Sequence, residues 1–101
     1  MLIILFIYKY YNHMNKSKIK AYVINLLNKF RLIESNGRKN IDKFDFIDSG
    51  HLDSIEILKF NLEIEKKFKI RFKPIETTLK SYKTVEGLTS IIYKKLSNKV
   101  H

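Results

Sequence analysis

The segment Phe44-Asp45-Phe46-Ile47-Asp48-Ser49-Gly50-His51-Leu52-Asp53-Ser54-Ile55-Glu56 concentrates the residue types of this chain that can do directed chemistry. Asp53 followed three positions later by Glu56 has the form of a capping box. The aspartate accepts from free amides of the first helical turn, and the glutamate reaches back to the amide of Asp53. A helix starting there puts Ser54 beside the N-cap, at the positive end of the helix dipole, where an anionic ester gains roughly 0.3–1 kcal/mol. No histidine or lysine stands close enough in sequence to be a secure base for Ser54, so a self-activating serine hydrolase is a poor fit and activation must come from elsewhere. His51 reads as a loop residue, because no second histidine lies nearby at metal-ligand spacing. The chain has no cysteine, which excludes a disulfide framework, a thiolate metal site and a thiol nucleophile; any thiol must come from a cofactor.

Positioning that segment requires helices on both sides of it. From Ser17 onward, Ile19, Val23, Leu26, Leu27, Phe30 and Ile33 keep the spacing of one helical face, and Ser35-Asn36-Gly37 has the residue types that end a helix in a left-handed turn. A loop is then expected from about Arg38 to Leu52. In the helix opened by Asp53, Ile55, Leu58 and Leu62 make one stripe and Ile57, Phe60, Ile64 and Phe68 a neighbouring one. Glu56, Lys59, Glu63, Lys66 and Lys67 fall opposite. So wide an apolar arc predicts contact with more than one other helix. Pro74 suits the opening of a short third helix or turn over 74–80. Thr84 caps a last helix carrying Val85, Leu88, Ile91, Ile92 and Leu96. The expected fold is all-α, a four-helix bundle with three longer helices, one short one and a long loop between the first two.

At 101 residues the chain can bury one core. Residues 1–8 are apolar but far short of the roughly 20 that a membrane helix needs, and the residues after them lack the form of a signal-peptide cleavage site. The simplest division is an N-terminal extension over 1–13, with an interfacial anchor as the alternative reading of that segment, and a domain over 14–101 starting at Met14. The net charge of +10 is unevenly spread. Residues 42–65 hold seven acids against two bases, a local −5, and the remainder holds 18 bases against three acids, +15. Of the 20 bases 17 are lysine, beside 15 isoleucines and 8 asparagines, a skew that an AT-rich genome produces without functional demand. Nucleic-acid surfaces are instead dominated by arginine.

The Asp45-to-Glu56 segment resembles the phosphopantetheine attachment motif of acyl carrier proteins: an aspartate and apolar residues in the loop, a glycine three positions before an aspartate, then Asp-Ser and an aliphatic residue. Leu62-Glu63-Ile64-Glu65-Lys66-Lys67-Phe68-Lys69-Ile70 resembles the end of that family's second helix, and Tyr82-Lys83-Thr84-Val85-Glu86-Gly87-Leu88 the start of its last. The resemblance covers about residues 17–97. It is closest in flavour to stand-alone carriers such as the D-alanyl carrier proteins and those of polysaccharide pathways. It implies a cytoplasmic, monomeric carrier that is not itself an enzyme. A 4'-phosphopantetheine arm from coenzyme A would be attached to Ser54 by a phosphopantetheinyl transferase, Asp53 helping to hold a transient Mg²⁺. The carrier would serve acyl- or aminoacyl-activating ligases and acyltransferases or synthases of lipid, polyketide or polysaccharide biosynthesis. Ile55 would be an apolar anchor, and Glu56, Glu63, Asp48 and the other loop acids a negative patch for partner enzymes. The sequence departs from the family in its basic balance, in Lys59, and in His51 where an apolar residue is usual. The rival reading is a basic helical interaction module, binding nucleic acid or docking to protein, that keeps the fold without the arm.

Overall fold

A computed structural model describes residues 15–100, with side chains through Asn98. The proposed extension over 1–13 and start at Met14 lie outside the described residues. Among the described residues four α-helices follow in chain order: α1 Lys16–Phe30, α2 Ser35–Lys39, α3 Ser54–Phe68 and α4 Val85–Val100. Single 3-10 turns occupy Ile41–Lys43, Pro74–Thr78 and Lys80–Lys83. The all-α class stands, with three long helices. The short third helix or turn expected over 74–80 is a pair of 3-10 turns, Pro74 standing at the first helical position of the earlier one. Among the described residues no helix is long and apolar enough to cross a membrane.

The three long helices enclose one core. α1 starts at Asn15, whose Oδ1 accepts from Lys18 N at 2.9 Å, and it buries Ile19, Val23, Leu26 and Leu27. α4 starts at Thr84, whose Oγ1 accepts from Gly87 N at 3.1 Å, and it buries Val85, Leu88, Ile92 and Leu96. α3 supplies Phe60, Ile64 and Phe68, each fully buried. Phe46 from the long loop and Tyr82 from the last 3-10 turn close the middle. Their ring centroids are 6.0 Å apart, and Phe46 lies 5.2 Å from Phe60. Burial pushes the Tyr82 phenol pKa up, with a smaller push from Glu65, and its hydroxyl donates to Asn61 Oδ1 on α3. α3 then ends at Lys69, which takes the left-handed conformation with φ of 55°.

Two local expectations need correction. The first helix does not run on to Ile33. It stops at Phe30, where Arg31 turns extended, and Asn28 Oδ1 accepts from Ile33 N at 2.8 Å. A side-chain acceptor there competes with the helical ladder, and Ile33 reaches the core from outside the helix. Nor is Ser35-Asn36-Gly37 a left-handed terminus: these residues open α2, with Gly37 packed against Ile33 and Phe44. The segment expected as a plain loop from Arg38 to Leu52 therefore carries the end of α2 and a 3-10 turn.

Candidate functional site

The site is the start of α3 and the segment that delivers the chain to it. That segment is pinned at its near end by two backbone bonds to the entry of α4. Phe46 N donates to Lys83 O at 2.9 Å and Val85 N to Phe44 O at 3.2 Å, forming an isolated antiparallel bridge between Asp45 and Thr84. Asp45 Oδ1 gathers the amides of Ile47, at 2.9 Å, and Asp48, at 2.6 Å, a local turn that aspartate favours. Gly50 N closes on Ile47 O at 3.0 Å, with Gly50 at a φ of 78°, a left-handed conformation that glycine adopts without strain. Buried Leu52 then returns its amide to Phe46 O, so both ends of the turn sit in the core.

His51 is buried beside this turn. Its Nε2 lies 3.1 Å from Leu27 O, and its ring meets the edge of Phe44 at 5.3 Å between centroids. The imidazole therefore fastens the turn to the end of α1. Arg31 makes a second fastening: its guanidinium donates to His51 O and forms a two-pronged pair with Glu56, at 2.9 and 3.0 Å. A planar fork on a carboxylate fixes orientation as well as distance. The capping box is present in full. Glu56 N donates to Asp53 Oδ1 at 2.8 Å, and Asp53 N to Glu56 Oε1 at 3.0 Å. The Arg31 hydrogen bond, aided by the Asp53 amide, holds the Glu56 carboxyl below its ordinary range against an opposing desolvation effect.

These contacts leave Asp53 and Ser54 exposed at the outside of the first turn. Ile57 N is already bonded to Asp53 O, and Glu56 N is taken by the cap. The amides of Ser54 and Ile55 precede the first helical donor and have no carbonyl within the helix. The end of α3 thus offers a hydroxyl, two backbone donors and a carboxylate whose Oδ1 alone serves the cap.

The other residues singled out by the sequence part company. Ile55 is exposed at 64%. Glu56 turns inward to Arg31 and the cap, and Asp48 pairs with Lys83 at 3.1 Å. Glu63 is exposed, beside a hollow between α1 and α3 lined also by Leu26, Lys29, Phe30, Lys59 and Leu62. Asp42 pairs with Lys20 at 2.9 Å, and Glu65 accepts from Phe72 N at 2.8 Å. Of the seven acids of the −5 stretch, Asp42, Asp48 and Glu56 are ion-paired within the molecule, while Asp48, Asp53 and Glu63 are exposed at the surface. The wide apolar arc of α3 divides: its Ile55, Leu58 and Leu62 stripe stands 64%, 65% and 64% exposed, with Leu62 at the lip of the hollow against α1. Sequence reading missed Arg31, whose partner lies 25 positions away, so no local pattern signals it.

No family model, curated protein or solved structure matches this chain, and its functional reading rests on the geometry of its own residues.

Proposed function

We propose that the protein is an acyl carrier, with Ser54 as the attachment point of a 4'-phosphopantetheine arm on which acyl or aminoacyl groups are presented to other enzymes. The observation that carries this reading is the exposure of Ser54 at the first turn of a fully capped helix, with the opening amides unspent. The residues fit the group. A transferase can reach Oγ without unfolding anything, and the helix dipole favours the resulting phosphodiester by about 0.3–1 kcal/mol. In the attachment step a bond forms between Ser54 Oγ and the phosphorus of coenzyme A. The pyrophosphate link breaks with release of adenosine 3',5'-bisphosphate, and the hydroxyl proton passes to a base of the transferase. Asp53, whose Oδ1 serves the cap, would help to hold a transient Mg²⁺ that would supply charge stabilisation to the transferred phosphate.

When bound, the arm supplies the thiol that a chain without cysteine lacks. The protein's own part is positional. Arg31, His51 and the Asp45 turn fix the start of α3, so Ser54 is held at one place on the surface. On this reading the chain is a substrate of the transferase and of activating ligases, acyltransferases or synthases, and is not itself an enzyme.

The test is an intact-mass measurement after incubation of the full chain with coenzyme A, Mg²⁺ and a broad-specificity phosphopantetheinyl transferase. The wild type gains the mass of one arm and Ser54→Ala gains none. A wild type that stays unmodified while a control carrier is converted overturns the proposal.

A further inference from the structure

The outer face of α3 is unusual in its charge. Ile55, Leu58 and Leu62 form an exposed stripe that starts beside Ser54 and runs about 10 Å along the helix. Leu62 is the shared lip of two open hollows. One, of about 380 Å³, includes Lys29, Lys59 and Glu63 in its lining; the other, of about 470 Å³, includes Lys66, Lys69 and Arg71 with Glu65. Five bases therefore stand against two acids around the leucine, and one of those acids, Glu65, already accepts from Phe72 N. At the front of the helix Glu56 pairs with Arg31 and Asp48 with Lys83, while Asp53 keeps one carboxylate oxygen outside the cap.

We propose that this face docks a protein partner whose surface is an apolar groove rimmed by carboxylates. The inference rests on the carrier reading for its purpose, since a partner seated on the stripe would have Ser54 at its edge. Charge complementarity selects the occupant. Lysines flanking a narrow apolar stripe steer and orient an acidic rim, while leucine and isoleucine side chains in the groove supply the affinity. An anionic bilayer fits less well, because Glu63 lies on the same face and would be pressed against like-charged headgroups. Nucleic acid fits less well again, because three large aliphatic side chains gain nothing from phosphates.

The experiment titrates isotope-labelled full-length protein, followed by amide chemical shifts, with three probes. These are an amphipathic helical peptide bearing leucines on one side and glutamates at their flanks, the same peptide with lysine in place of glutamate, and phosphatidylglycerol vesicles. The glutamate peptide is expected to shift the amides of residues 55–66 and to bind about tenfold more tightly than the lysine peptide, a preference that Lys59→Glu with Lys66→Glu reverses. Both lysines are exposed, so the double variant keeps the fold. Equal or tighter binding of the lysine peptide to the wild type overturns the proposal, as does binding to vesicles alone or to none of the probes. Arm attachment at Ser54, read by mass in the same samples, reports the carrier reading separately. Charge-selective peptide binding without an arm sinks only that reading, and an arm without charge selectivity sinks only this inference.

Discussion

The two faces of α3 carry nearly the same side chains and have opposite fates. Phe60, Ile64 and Phe68 on one side are fully buried, while Ile55, Leu58 and Leu62 on the other stand about two-thirds exposed. By composition alone both are core. The difference comes from the rest of the chain: α1, α4, Phe46 and Tyr82 close over the first face, and no described element is left to cover the second. One helix thus holds the domain together with one side and keeps apolar surface available with the other.

That contrast can be broken at its strongest point first. Phe60→Ala removes a ring packed 5.2 Å from Phe46 and 6.4 Å from Phe30. It is expected to cost about 3–5 kcal/mol, read as a loss of cooperative urea unfolding or a much lower midpoint. The start of the helix gives a smaller effect that depends on pH. Glu56 has a folded pKa below its unfolded one. Its contribution is present above the unfolded value and is lost as pH falls through the folded value. Glu56→Gln should lower the thermal midpoint at neutral pH and flatten its acid decline, so an unchanged acid limb would show that the Arg31 pair contributes nothing. At the other end, Lys69→Gly relieves a left-handed residue that carries a side chain and should raise stability by about 0.5–1 kcal/mol. The outer face gives the least: Leu58→Ser should shift stability by no more than about 0.5 kcal/mol in urea unfolding. A cost near that of Phe60→Ala would mean that the outer stripe is covered after all.

What the sequence disclosed follows how local each feature is. The capping box at Asp53 and Glu56, the Thr84 cap and the period of α1 and α4 depend on neighbours within one helical turn, and each is present. The place of Ser54 followed from the same local logic. The end of α1 was misread because Ile33 keeps helical period while Asn28 diverts its amide. Periodicity records which residues are apolar and says nothing of what captures the backbone. The exposure of Leu58 and Leu62 was illegible for a related reason: a wide apolar arc gives direction around a helix but not the presence of a cover. The ion pairs of Asp42, Glu56 and Asp48 were hidden as well, since their partners Lys20, Arg31 and Lys83 lie 22, 25 and 35 positions away.

The short antiparallel bridge between Asp45 and Thr84 has a mechanical consequence. The strip leading to Ser54 is stitched at one end to the threshold of α4 and, through His51 and Arg31, at the other end to α1, so a displacement of residue 54 is resisted by both helices. Loosening either anchorage, rather than shortening any helix, would let the serine wander.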